Sequence, residues 1–334
     1  MKIKAGIIGG AGYAGGELIR ILINHPNVEI TFVHSTSNAG NPISVVHSDL
    51  FGDTDLYFSD DLIVQENLNT VDVLFLCAGH GEGRKFLSSK NIADHIVVID
   101  LSHDFRLNGN SEIENEAGVR KFIYGLPELH RTRIKNTKSI ANPGCFATCI
   151  QLGLLPFIKH YDGQQIHVQA TTGSTGAGQS LSATTHFSWR NNNLSVYKAF
   201  EHQHLDEIKE NLEWAASKEI SQLNFIPLRG DFTRGIFASM YVETHLSIDE
   251  IYKIYEDYYA NHPFTHVSRK SIDLKQVINT NKCLISLEKH GNQLLILSSI
   301  DNLLKGASGQ AVQNMNLIFG LEETLGLKLK PVGF

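Results

Sequence analysis

Apolar residues near the start of the chain run first with the continuity of a buried strand and then with the spacing of a helix face. Residues 3–8, IKAGII, form a short apolar run, a glycine-rich turn follows, and Leu18, Ile19, Leu22 and Ile23 then recur at helical spacing until Pro26. VEITFVHS comes directly after, so this segment predicts a β-α-β unit, the crossover that parallel strands require. Two further apolar runs, VDVLFLCA at 71–78 and HIVVIDLS at 95–102, bracket a helical stretch around Gly83 to Lys90. The pattern up to this point predicts an open parallel sheet with helices on both faces.

From Asn108 to Asn142 the chain is polar and irregular, and it ends in SIANPGCFATCIQLGLLPFI. Pro143 and Gly144 break a strand there, and a helical pattern runs from Cys145 to about Pro156. The domain boundary is placed at this break, giving residues 1–142 and 143–301. Beyond residue 164 the pattern becomes the alternation of half-buried strands: QIHVQATT, LNFIPLR, GIFASMYVETHL, CLISLEKHG and QLLILSSID. Among them lies SIDEIYKIYEDYYANHPF, a helix opened by a capping box from Ser247 to Glu250. These features predict an α+β second domain on a mostly antiparallel or mixed sheet. A last helix at 302–320 presents Leu304, Ala307, Ala311, Val312, Met315 and Ile318; this spacing does not show what it packs on.

Composition narrows the class. A chain of 334 residues with 28 Gly, 8 Pro and a formal charge of -6 fits two ordinary globular domains and lacks the basic excess of a nucleic-acid-binding face. The glycines then belong in turns and phosphate-binding loops. Cys77, Cys145, Cys149 and Cys283 are too few for a disulfide framework and show no C-x-x-C metal spacing, so a reducing compartment and no metal are expected, with Cys149 in the core. No secretory leader pattern and no apolar run of membrane-spanning length occur, which predicts a soluble cytoplasmic protein with no membrane or nucleic-acid partner.

Gly9, Gly12 and Gly15 form G-x-x-G-x-x-G between a strand and a helix, where bare backbone lets a pyrophosphate approach a helix N-terminus. The bland alternative is a tight turn that only lets the helix pack closely. Past the second strand, FVHSTSN offers hydroxyls and no carboxylate, which favours NADP over NAD. Cys145 stands at the first turn of an apolar helix, where the helix dipole favours a thiolate and nearby N–H groups favour an oxyanion. It reads equally as a small capping or core residue. In YKAFEHQHLDEI, His202 and His204 sit with Glu201, Asp206 and Glu207, a set that suits a base and a substrate ligand; the alternatives are solvated polar surface and a metal site, for which no third Cys or His ligand is implied. Arg106 beyond a strand end, the loop TTGSTGAG at 171–178 and Arg234 are candidates for holding anions, or ordinary ion-pair residues.

Taken in order, GGAGYAG, DLSHDFRL, YGLPE, ANPGCFAT, TTGSTGAG, HQHLDEI, RGI and DNLLKGASGQAVQNMNL resemble the N-acetyl-γ-glutamyl-phosphate reductase family of arginine biosynthesis, and more distantly aspartate-semialdehyde dehydrogenase. That resemblance implies an N-terminal Rossmann-type nucleotide domain completed by residues 302–334, an α+β catalytic and dimerisation domain with a mixed sheet, and a homodimer or homotetramer. It implies Cys145 as nucleophile through a thioester and His202 as acid/base. Arg106, Asn142, Ser174, Tyr197, His204, Glu207 and Arg234 would surround an acyl phosphate. Gly9, Ala11, Gly12, Tyr13, Gly15, Ser35, Ser37, Ala78, Gly176 and Asn302 would line NADP, with NADPH as hydride donor. The chain departs from the family pattern at Gln203 and Gln179, where Arg is common, at Asp206, where Pro is common, and at Leu228, where His is common. An N-succinyl substrate, an aspartate-semialdehyde dehydrogenase and a non-enzymatic NADP-binding regulator are the alternatives.

Overall fold

The computed structural model describes residues 2–115 and 118–333. The chain divides into two compact units, Met1–Pro143 with Ala307–Lys328, and Gly144–Gly306 with Leu329–Phe334.

In chain order the first unit carries β1 (Ile3–Ile8), α1 (Tyr13–Leu22), β2 (Val28–His34), β3 (Phe58–Ser59), α2 (Asp61–Asn67), β4 (Val73–Leu76), α3 (Glu82–Ser89) and β5 (Val97–Asp100). Then come β6 (Glu112–Asn115), β7 (Gly118–Lys121), β8 (Ile123–Tyr124), α4 (Pro127–Lys135) and β9 (Ser139–Ala141). The sheet runs β3-β2-β1-β4-β5-β9-β8 with every pairing parallel, while β6 and β7 pair antiparallel by themselves. β4 and β5 are buried at every residue, which is why their sequences are unbroken apolar runs rather than alternating ones. The polar stretch after Asn108, expected to be irregular, instead holds four short strands and α4, too brief to show a period.

The second unit carries α5 (Cys145–Ile158), β10 (Ile166–Thr172), α6 (Phe187–Arg190), β11 (Ser195–Val196), α7 (His204–Ala216), β12 (Leu223–Arg229) and β13 (Ile236–Glu243). It continues with α8 (Ile248–Tyr259), β14 (Thr265–Ser268), β15 (Cys283–His290) and β16 (Gln293–Ile300). Its sheet, β11-β12-β10-β13-β16-β15-β14, is mixed: β10 with β12 and β14 with β15 are parallel, and the other pairs antiparallel. α5 lies across the sheet with α7 and α8 beside it, and every residue of α5 after Cys145 is buried. Close approach needs Gly153, where a Cβ would stand 2.2 Å from Met240 Cε, and Tyr255 Oη donates to the Gly153 carbonyl at 2.7 Å. On the opposite face His167, Phe237, Tyr241, Leu295 and Leu297 remain partly or fully exposed.

The first unit is completed by α9 (Gly309–Ile318), which follows a π-helical turn at Leu304–Ser308. Asn314 Nδ2 donates to Gly125 O at 2.9 Å and Asn142 Oδ1 at 3.2 Å, and Ser308 Oγ donates to Ala14 O at 2.7 Å. This helix is shorter than the one expected over 302–320, because the regular α-helix begins only after the π turn and Gly320, at φ +67°, ends it. The segment joined to the first unit is Ala307–Lys328 rather than 302–334.

Candidate active site

Three glycines shape the turn between β1 and α1 for different reasons. Gly9 has φ +76°, and a Cβ on it would stand 2.8 Å from Ala78 N, so no other residue fits without strain. A Cβ on Gly15 would stand 2.5 Å from Gly10 O, which fixes how closely α1 packs on the turn. Gly12 has nothing within 4 Å of its Cβ position and caps α1 without a side-chain hydrogen bond, so the helix N-terminus stays open to an anion. Ala11 and Tyr13 flank it, Tyr13 being exposed. His47 went unnoticed in the sequence: its Nε2 bonds the Gly10 carbonyl at 2.8 Å and its ring packs against Gly16. Beyond β2, Asn38 Nδ2 donates to Ser35 Oγ at 3.3 Å and Ser37 Oγ at 3.0 Å, and Ala78 follows β4 against Gly9.

Two residues expected at the substrate bind backbone inside the first unit. Arg106 Nε donates to Asn142 O at 2.9 Å and Nη2 to Leu101 O at 2.9 Å. Asn142, 1% exposed, also donates to Ala307 O at 3.0 Å and accepts from Asn314. Strand ends leave carbonyls that must find donors once buried, and these side chains supply them. Nearby, Asp100 is buried and its carboxyl is pushed up to about 7, chiefly by desolvation, while Ser102 Oγ donates to it at 2.7 Å.

In the second unit, Cys145 is the first residue of α5 and the only one of that helix not buried. Gly144 N–H, immediately before it, donates to Glu207 Oε1 at 2.7 Å. Glu207 is 3% exposed and sits on α7, so its carboxylate pins the backbone that presents the thiol. A Cβ on Gly306 would come within 2.8 Å of Cys145 Cβ, so glycine is needed there. Cys149, by contrast, is wholly buried, with its thiol pushed well up by desolvation.

His202, 7% exposed, is held by a ring of aromatic groups: Phe146 at 5.4 Å, Tyr197 at 5.6 Å, Phe225 at 5.6 Å and His204 at 4.8 Å between centroids. Its Nδ1 accepts the His204 backbone N–H at 3.2 Å, which assigns the ring proton of the neutral form to Nε2. Desolvation, then the charges of Lys198 and Arg229, lower its pKa to about 4, so the ring is neutral near pH 7. Tyr197 is pushed up to about 12 by desolvation and then by Cys145, which places phenol and thiol in electrostatic reach of each other. The guanidinium of Arg229 lies 4.6 Å over the Tyr197 ring. Lys198 and Arg229 were missed in the sequence; Arg229 looks there like one more position of an alternating strand.

The loop after β10 closes on the strand start at Ile236. Ser174 N–H donates to Phe232 O at 2.8 Å, and a Cβ on Gly173 would stand 2.5 Å from Thr233 O. Gly176 is exposed. Arg234, expected at an anionic substrate, aims Nε and Nη2 at the two oxygens of Asp301 at 3.1 and 3.2 Å, because that carboxylate is wholly buried and requires a cation. Asn302, expected at the nucleotide, accepts from Gly235 N–H at 2.6 Å and donates to Thr175 Oγ1 at 3.0 Å, so its amide is engaged within the second unit. The structure thus gathers Cys145, Glu207, Tyr197, His202 and His204 around the start of α5, and leaves Arg106, Asn142, Arg234 and Asn302 in structural contacts.

A parallel-sheet nucleotide unit followed by a mixed-sheet unit with a cysteine opening its first helix defines a semialdehyde dehydrogenase. Residues 4–137 match the family described as semialdehyde dehydrogenase, NAD binding domain, and residues 145–302 match semialdehyde dehydrogenase, dimerisation domain. Among solved structures, aspartate semialdehyde dehydrogenase II of Vibrio cholerae shares this fold at TM-score 0.70 and 18% identity, covering 96% of this chain and 99% of that one. Much higher similarity is found to the N-acetyl-gamma-glutamyl-phosphate reductases of Bacteroides fragilis (strain YCH46), 58% identical, and Flavobacterium johnsoniae, 57% identical, each over 99% of this chain and all of the relative. The chain belongs to the N-acetyl-γ-glutamyl-phosphate reductase family and is an oxidoreductase.

Proposed function

We propose that the chain converts N-acetyl-γ-glutamyl phosphate, with NADPH, into N-acetylglutamate 5-semialdehyde and phosphate, through a thioester on Cys145. The observation that carries this reading is Cys145 itself: the one unburied residue of α5, on a backbone fixed by Glu207 and in electrostatic reach of Tyr197, whose ring packs on His202. Positive charge at the helix N-terminus stabilises the sulfur as a nucleophile. Attack on the γ-carbonyl expels phosphate and leaves the thioester; after reduction to the thiohemiacetal, breaking the C–S bond returns the thiolate and releases the aldehyde. His202, neutral and protonated on Nε2, offers a hydrogen bond to the oxyanion formed in each half of this sequence.

The first unit fits the nucleotide, since Gly12 leaves the uncapped start of α1 open and the hydroxyls of Ser35 and Ser37 suit a 2′-phosphate. When bound, NADPH supplies the hydride. Gly9, Ala11, Tyr13, Gly15 and Ala78 line that turn in this reading, while His204 and Ser174 are assigned to the substrate. The exposed face of the second sheet, with Phe237, Tyr241 and Leu297, suits a second copy of the chain, in keeping with the dimerisation domain it matches. A thiol-dependent reaction belongs in a reducing compartment, the cytoplasm; among the described residues no helix is long and apolar enough to cross a membrane.

Cys145→Ser tests the proposal: phosphate-dependent reduction of NADP with N-acetylglutamate 5-semialdehyde should disappear while NADPH binding, followed by fluorescence, stays unchanged. Wild-type activity with aspartate semialdehyde alone would overturn the substrate assignment.

A further inference from the structure

Arg229 closes β12 as the partner of Ser195 on the edge strand β11, and the Tyr197 N–H donates to Pro227 O at 3.2 Å. This pairing puts residues 229 and 197 diagonally on one face of the ladder, where the guanidinium stacks on the phenol. The backbone is locked from behind, for Arg190 Nη1 donates to the Arg229 carbonyl at 2.7 Å and Nη2 to Ser195 Oγ at 3.1 Å. Arg84, Arg106, Arg120 and Arg234 each donate from the guanidinium to a carbonyl or a carboxylate. Arg229 does not: its Nε is buried without a hydrogen-bond partner among the described residues, and the side-chain hydrogen bond it makes is to Tyr197. The nearby Asp231 is engaged elsewhere, accepting the Asn192 N–H at 2.6 Å.

A guanidinium whose buried Nε lacks an acceptor is costly, and a second cation, Arg190, makes it more so. Its complement is a carboxylate, which fits the planar fork in bidentate fashion. Its place matters too. Arg229 stands over Tyr197, whose ring borders His202 and lies in electrostatic reach of Cys145, a place where an anion would belong to a molecule held near the sulfur.

Resting on the function proposed above, we propose that Arg229 holds a carboxylate of the N-acylated substrate away from the reacting carbonyl and so helps set which N-acyl amino acid is accepted. Two carboxylates qualify, the α-carboxylate of the glutamyl part and the terminal carboxylate of a dicarboxylic acyl group such as succinyl. The experiment is the reverse reaction, NADP reduction with phosphate, run on N-acetyl- and N-succinylglutamate 5-semialdehyde with the wild type, Arg229→Leu and Arg229→Lys. Arg229→Leu should raise the semialdehyde KM about 10- to 100-fold, the loss of a charge-assisted hydrogen bond, with kcat within about threefold and phosphate KM unchanged. Arg229→Lys should recover part of the loss. Equal losses with both semialdehydes identify the α-carboxylate; a loss confined to the succinyl compound identifies the acyl tail. An unchanged semialdehyde KM, or a rise in phosphate KM in its place, overturns the assignment. Wild-type inactivity on both semialdehydes would defeat the proposed function instead, and calorimetric binding of N-acetyl- and N-succinylglutamate to the same three proteins would still decide the role of Arg229.

Discussion

Lowering the pH should destabilise the second unit through His202. The unfolded chain holds a proton on an ordinary histidine with a pKa of 6.5, whereas the folded site, desolvated and facing Lys198 and Arg229, lowers it to about 4. Between these values the unfolded state binds more protons, so the contribution of His202 is complete above pH 6.5 and is lost as pH falls towards 4. The gap corresponds to a ceiling of about 3 kcal/mol. Both tryptophans, Trp189 and Trp214, lie in the second unit, so their fluorescence during urea unfolding reports on it. Titrating wild type and His202→Gln from about pH 7.5 to pH 4.5 should show wild-type stability falling faster by about 2 kcal/mol. Parallel curves would refute the claim that this ring is buried neutral. Over the same range, kcat/KM should show no ionisation assignable to His202, whose charge changes only near the acid end.

The other substitutions separate architecture from chemistry. Gly9→Ala forces an L-residue to φ +76° against the Ala78 backbone and should destabilise the first unit by about 1–2 kcal/mol or more, measured by thermal unfolding. Gly12→Ala, with open space around it, should melt normally yet bind NADPH more weakly in a fluorescence titration. Glu207→Ala leaves the Gly144 N–H without its carboxylate and should cost about 1–3 kcal/mol in denaturant unfolding together with a drop in kcat. Glu207→Gln keeps an acceptor oxygen and should lose less of both.

The regular elements were legible because burial imposes a period. β1, β2, β4, β5 and the long strands of the second unit appear in the sequence as apolar or alternating runs, and the Ser247–Glu250 box marks the start of α8 as the structure has it. Strands of two to four residues between Asn108 and Ala141 are too short to show a period. At the site, the Pro-Gly break before an apolar helix put Cys145 at a helix start, which is where the structure has it. Arg106, Asn142 and Arg234 make contacts that the sequence did not show, to buried carbonyls and to the carboxylate of Asp301. The contacts of Arg229 and Glu207 are made to partners distant in sequence: the guanidinium lies over Tyr197, 32 positions earlier, and the carboxylate bonds Gly144, 63 positions earlier.

The helix contributed to the first unit by Gly309–Ile318 sets an order for synthesis. While the ribosome is still making the second sheet, Gly125 O and the Asn142 side chain lack the Asn314 amide that later bonds both, and Ala14 O lacks Ser308. The nucleotide-binding half begins first and is finished last. A nascent chain released before about residue 318 would carry the complete glycine turn on an unfinished scaffold, a natural target for chaperones and proteases rather than a partial enzyme.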